Sequence, residues 1–237
     1  MKILSMIMGC TLMASSYASV ITVAPLDMSL TVTKRFGDIT IYNPGKTKAY
    51  VNTYLYRIEN PGTKAHKRVT LNYDSPLKFG VLVSPTKVVL DPAESQRIRV
   101  LSLIPPGKVD QVYQVKIVPA EGQWYPVKGG HNAKFHGMVD LVTGYLVTVI
   151  LRPAHPFPHI TLTRHGKKLT IKNDGNTMVR IANAQWCSKA GKCKPAKGLV
   201  NMALFAGNVR HITLQQAMPT RYIMSMPNGS QKWVTSS

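Results

Sequence analysis

The sequence predicts an exported, all-β protein of two sandwich domains. Short β-branched and aromatic runs recur from Val20 onward, broken every few residues by Gly, Pro or Asn, while helical periodicity is almost absent. A proline cluster, "PAHPFPH" at 153–159, splits the chain where its composition changes abruptly. The N-terminus has the layout of a secretory signal peptide: Met1–Lys2, an apolar run from Ile3 to Met13, then small residues in "SSYAS".

Cleavage after Ala18, with Ser16 and Ala18 at the −3 and −1 positions, assigns residues 1–18 to the signal. Cys10 lies within that segment. About 219 residues remain, which suits two domains of roughly 100 each. No other run approaches the ~20 apolar residues of a spanning helix, so the mature chain is expected not to span a membrane.

The first domain, 19–152, opens with "VITVAP" and "MSLTVT" as strands. "DITIYNPG" ends in a turn, and "AYVNTYLYRI" runs into a second turn at "ENPG". "RVTLNY", "GVLVSPTKVVLDP", "QRIRVLSLIPPG" and "QVYQVKIVPA" supply further strands, a density that indicates a sandwich. "EGQWYPVKGGHNAKF" reads as a loop. The proline cluster reads as a stiff, extended linker. The second domain, 153–237, is predicted as a smaller sandwich, with turns at "RHGK" and "NDGN" where Asn and Gly suit positive φ. "HITLQQ" and "RYIMSM" would close it. Cys187 and Cys193 in "CSKAGKC" are an even pair that should bond in an oxidising compartment.

Thirty Lys and Arg against ten Asp and Glu give a net charge of +20. Export and the scatter of these cations argue against a nucleic-acid partner; a solvated surface or an acidic partner fits better. Nothing catalytic stands out. There is no Gly-x-Ser-x-Gly elbow, no phosphate loop and no carboxylate pair. His131 and His136, and His155 and His159, lack neighbouring ligands for a metal. The expectation is a non-enzyme with no metal and no cofactor.

One segment stands apart. From Met138 to Leu151 the chain is almost wholly apolar, and fourteen strand residues at ~3.3 Å each would span roughly 45 Å, far beyond an ordinary strand. Val139, Leu141, Thr143, Tyr145, Val147, Val149 and Leu151 share one face; Met138, Asp140, Val142, Gly144, Leu146, Thr148 and Ile150 share the other. An apolar row projecting past its own sheet invites aggregation unless it is meant to pair with another chain by strand addition.

Together, "VLVSPTKVVLDPAESQRIRVLSLIPPGKVDQVYQVKIVPAEG", "RIENPGTKAHKRVTLNY" and "KNDGNTMVRI" resemble the PapD-like periplasmic chaperones of pilus assembly, most closely the alpha-class chaperones of colonisation-factor fimbriae. The resemblance covers essentially the whole mature chain. It implies two immunoglobulin-like β-sandwich domains set at an angle and a periplasmic location in a Gram-negative bacterium. The implied partners are pilin subunits, an adhesin and an outer-membrane usher, with room for a self-capping homodimer. A late strand of the first domain would be lent to an incomplete pilin (donor-strand complementation). Carried onto this chain, that strand presents Leu141, Thr143, Tyr145 and Val147, with Val139 as a further member. The family also holds the pilin's C-terminal carboxylate with cations. Here the late-strand lysine of better-known members falls at Thr148, and the first-strand arginine has no clear match in "APLDMSL". Arg152, Arg99, Lys34 and Arg35 are the candidates, and Arg152 with Asp110 is also the candidate interdomain salt bridge. The competing reading is a secreted structural or adhesive β-sandwich protein, itself a fimbrial component.

Overall fold

A computed structural model describes residues 21–73, 76–120, 143–187, 192–195, 202–214, 220–225 and 230–236. The signal segment, Val139, Leu141, His131 and His136 lie outside these. So do the rest of the apolar run before Thr143 and the loop read at 121–135.

The first unit is β throughout apart from one helical turn, α1 (Pro76–Phe79). Its strands are β1 (Thr22–Ala24), β2 (Asp27–Leu30), β3 (Phe36–Tyr42), β4 (Ala49–Glu59), β5 (Lys67–Leu71), β6 (Val81–Ser84), β7 (Lys87–Leu90), β8 (Ser95–Ser102), β9 (Gln111–Pro119) and β10 (Tyr145–Leu151). A four-stranded sheet runs β1-β3-β8-β6, and a six-stranded sheet runs β2-β10-β9-β4-β5 with β7 also on β4. The chain changes sheets at Pro25, which has no N–H to continue a ladder.

Period-2 alternation decides what fills the space between these sheets. Ala49, Val51 and Leu55 of β4, Ile98 and Val100 of β8, Tyr113, Val115 and Ile117 of β9, and Val147, Val149 and Leu151 of β10 form one buried cluster. Each such side chain contributes about 1.5–3 kcal/mol over its exposed state. The opposite face of β4 carries Tyr50 and Tyr54, both exposed.

The second unit is a smaller sandwich. Its strands are β11 (Ile160–His165), β12 (Lys168–Asn173), β13 (Val179–Cys187), β14 (Cys193–Pro195), β15 (Met202–Leu204), β16 (Val209–Thr213), β17 (Thr220–Ser225) and β18 (Gln231–Ser236). They form a three-stranded sheet, β11-β12-β16, and a five-stranded sheet, β14-β13-β17-β18 with β15 on β13. Among the described residues its shared core holds Leu169, Ile171, Val179, Ile181, Leu204, Leu214 and Met224. Cys187 and Cys193 are direct partners in register across β13 and β14.

One sequence expectation changes here. "RHGK" does close a hairpin, with His165 opposite Lys168 and Gly166 at φ 59°. "NDGN" instead joins strands of different sheets, and Gly175 is not among the positive-φ residues. Space explains that glycine: a Cβ there would lie 2.1 Å from the Phe157 carbonyl and 2.6 Å from the His159 nitrogen. That contact belongs to a set that holds the linker at 153–159. Asn176 donates from Nδ2 to the His155 carbonyl (3.0 Å) and accepts from the Phe157 amide (2.6 Å). Its own amide donates to the Phe157 carbonyl (3.0 Å). The linker is fastened to the second sandwich.

Candidate functional site

β10 is held differently along its two sides. Over its whole length it pairs with β9, Tyr145 opposite Ile117 through Leu151 opposite Gln111. On the other side β2 covers only Thr148 to Leu151, in parallel register, with the Thr148 amide donating to Leu26 (2.9 Å). Among the described residues, Tyr145 to Val147 have no strand on that side. The chain enters β10 through Thr143 and Gly144, both exposed.

The predicted donor row divides accordingly. Val147 is completely buried in this domain's own core. Tyr145 packs against the same core, and its hydroxyl donates to the Ile21 carbonyl at 2.8 Å. It closes the end of the sandwich. Thr143 lies beyond that end and is exposed. On the outward face, Leu146 is 42% exposed and aligns across the sheet with Lys116 and Tyr54. The Lys116 ammonium sits 5.8 Å from the Tyr54 ring. Thr148 stands beside Gln114, whose buried Oε1 accepts no hydrogen bond among the described residues.

The candidate cations are scattered. Arg99 belongs to the four-stranded sheet, where Nε and Nη2 pair with both Asp38 oxygens at 2.8 and 3.0 Å, and its guanidinium lies 4.7 Å from the Phe36 ring. This pairing holds the Asp38 carboxyl below its ordinary value. Lys34 and Arg35 occupy the exposed turn between β2 and β3, near the C-terminal end of β10, because the Arg152 amide donates to Leu30 (2.8 Å). Arg35 also donates to the Ser102 carbonyl at 3.0 Å.

Arg152 is not free to meet a guest. It is 5% exposed, and its Nη1 reaches Asp110 Oδ2 at 2.8 Å and Thr177 Oγ1 at 3.0 Å, while Nε reaches Ser29 Oγ at 3.2 Å. Asp110 in turn accepts from the Thr177 hydroxyl and the Met178 amide, and its own amide donates to the Asn176 carbonyl. Burial pushes the Asp110 carboxyl up, and the Arg152 charge with these donors pulls it back. The pair joins the ends of β9 and β10, and its bonds to Thr177 and Met178 cross to the second sandwich.

Sequence reasoning missed what receives this bridge. Thr177 ends the segment Asn173-Asp174-Gly175-Asn176-Thr177, and Asn43-Pro44-Gly45-Lys46-Thr47 has the same Asn-x-Gly-x-Thr pattern. Both asparagines are buried, each Nδ2 donates to the carbonyl four residues on, and each Oδ1 accepts from the glycine amide. The pattern written twice was the available signal.

The comparisons with known proteins agree with this architecture. No protein-family model matches the chain. Over 154 residues it is 29% identical to a CS1 fimbrial subunit of Escherichia coli, covering 64% of this chain and 62% of that one. Over 156 residues it is 25% identical to a CFA/I fimbrial subunit of Escherichia coli, with the same coverage. The chain thus spans 62% of the length of the relatives it matches. The crystal structure of the class 5 fimbriae chaperone CfaA superposes with a TM-score of 0.67 at 17% identity, covering 92% of this chain and 99% of that one.

The fold is that of the PapD-like fimbrial chaperones. Two further structures with this fold come from complexes with other proteins. A chain of the CFA/I chaperone–tip adhesin complex matches with a TM-score of 0.64 at 17% identity, over 92% of this chain and 98% of its own. A chain of the Salmonella enterica complex of SafA pilin with the SafB chaperone matches with a TM-score of 0.61 at 12% identity, over 94% and 98%. In this PapD-like frame the half-covered β10 is the last strand of the first immunoglobulin-like domain, and Arg152 leads directly from it into the junction with the second.

Proposed function

We propose that this protein is a periplasmic chaperone of pilus assembly, exported by the signal at 1–18, which captures pilin subunits and the adhesin by strand donation and delivers them to an outer-membrane usher. The observation that carries the reading is β10: among the described residues its edge is uncovered over Tyr145–Val147, and an apolar alternating segment runs into it. Val139, Leu141 and Thr143 share the parity of the core residues Val147 and Val149. On this reading the row before Tyr145 is the part offered to a guest that lacks a strand. Main-chain hydrogen bonds supply the pairing, and each apolar side chain adds about 1.5–3 kcal/mol on burial. Lys34 and Arg35, with Lys116 beside Leu146, are the cations left for the guest's terminal carboxylate. In the unbound protein, a homodimer would cover the same edge. The disulfide Cys187–Cys193 staples the second domain.

Co-expression with fimbrial subunits tests this. Wild type should yield a soluble one-to-one complex, and Leu141→Asp should lose it while keeping the melting temperature of the free protein. Equal capture by the variant would refute the strand assignment. Self-polymerisation of the purified chain would favour a structural fimbrial protein.

A further inference from the structure

The Asn-x-Gly-x-Thr corners belong to a larger repeat. In the first domain Ala93 donates to the Asn43 carbonyl and Asn43 to that of Glu94, at 2.9 and 3.0 Å; in the second, Gly207 donates to Asn173 and Asn173 to Asn208, both at 2.9 Å. Ala93 and Gly207 both have positive φ, 62° and 76°. Glu94 caps its turn by accepting from the Asp91 amide (2.7 Å), as Asn208 does from the Phe205 amide (3.2 Å). Two sandwiches therefore use one device to tie a corner to a turn.

The second copy does something the first does not. Asn208 is buried, and its Nδ2 donates at 3.1 Å to the carbonyl of Pro61, at the tip of the β4–β5 hairpin of the other domain. Arg210 donates to the neighbouring Gly62 carbonyl. Gly62 has φ +72°, and a Cβ there would stand 2.4 Å from Asn208 Oδ1 and 3.2 Å from the Phe205 ring. A cavity of about 690 Å³, lined by Arg57, Glu59, Lys108, Asp110, Phe205 and Asn208 among others, reaches from this contact to the Arg152–Asp110 bridge.

We propose that Asn208, Arg210 and Gly62 form a second interdomain latch, which fixes the angle between the domains and so positions the guest-binding strand. One junction contact leaves rotation about itself; a second, across a cavity from the first, removes that freedom. The internal repeat serves as the control. Bonds common to both copies hold each sandwich together; of the bonds found only in the second copy, those of Asn176 hold the linker, and that of Asn208 to Pro61 crosses between domains. The positioning role rests on the chaperone reading above; the latch itself does not.

The test uses the mature protein with spin labels at Lys87→Cys and Thr163→Cys, in different domains. Asn208→Asp keeps an acceptor for the Phe205 amide but loses the donor to Pro61. Gly62→Ala wedges the contact open. Glu94→Ala removes the matching cap in the first domain, which makes no bond across the junction among the described residues. The expected result is a broadened interdomain distance distribution for Asn208→Asp and Gly62→Ala, and an unchanged one for Glu94→Ala. Pilin capture by Asn208→Asp should weaken roughly tenfold while the protein stays folded. Distributions as narrow as wild type in both latch variants would overturn the latch. Broadened distributions with undiminished capture would overturn its positioning role. Wild-type protein that captures no pilin would count against the chaperone reading and leave the distance result to decide the latch.

Discussion

Arg152→Ala should be the most damaging single change at the domain junction. The two side chains of the bridge are 6% and 2% exposed, with the charged atoms 2.8 Å apart. Truncating Arg152 leaves the Asp110 carboxylate buried without its counter-charge, and the Thr177 and Ser29 hydroxyls lose a donor. Removing one partner of such a pair costs about 3–5 kcal/mol, whereas a surface pair is worth about 0–1. In a chain of this size each kcal/mol moves the melting temperature about 2–4 °C, so calorimetry should register a fall of roughly 6–20 °C. Asp110→Ala should cost a similar amount, because it strands the guanidinium and the Met178 amide. The apolar pair Arg152→Met with Asp110→Leu should recover most of the loss, since no charge is then left buried and uncompensated. The decisive quantity is the coupling in the double-mutant cycle of Arg152→Ala with Asp110→Ala. Single substitutions that each cost under about 1 kcal/mol and add without coupling would show that water reaches the bridge, and the reasoning from burial would be refuted.

Three further outcomes follow from the same geometry. Val147→Ala should destabilise the first domain by about 1–3 kcal/mol in thermal melts yet leave pilin capture intact, the reverse of Leu141→Asp. Alkylation without reductant should find no free thiol in the mature protein, and Cys187→Ser with Cys193→Ser should cost about 2 kcal/mol for so short a loop. Arg99 hydrogen bonds hold the Asp38 carboxyl below its ordinary value, so Asp38 contributes stability above about pH 4 that is lost as pH falls through the depressed value. Arg99→Ala should return the Asp38 titration, followed by NMR, toward the ordinary carboxylate range; an unmoved titration would remove Arg99 as the cause.

Most of the fold was legible because alternation is a local signal. The "AYVNTYLY" of β4 and the "VYQVKI" of β9 state which side chains face in before any partner strand is known. Alternation also gave β10 its parity, but parity is not ownership. Val147 and Leu141 share parity in the sequence, and among the described residues Tyr145, pinned to the Ile21 carbonyl, closes the end of this core. The Arg152–Asp110 pair was found through resemblance; its partners at Thr177 and Met178 were not, because hydrogen bonds between distant turns follow no period.

The repeat supplies the missing criterion. Asn43 and Asn173 make equivalent bonds, so those bonds explain how each sandwich closes and say nothing about how the two are assembled. Thr177 and Asn208 stand where Thr47 and Glu94 stand in the first copy, and their side chains are the ones that cross the junction. Thr177 takes the carboxylate of Asp110, one residue before β9, while Asn208 takes the tip of the β4–β5 hairpin. β9 and β4 are neighbours in the sheet that carries β10. The second domain therefore contacts the sheet of β10 at two loops, and under the proposed function those two contacts would set the direction of the edge that a guest meets.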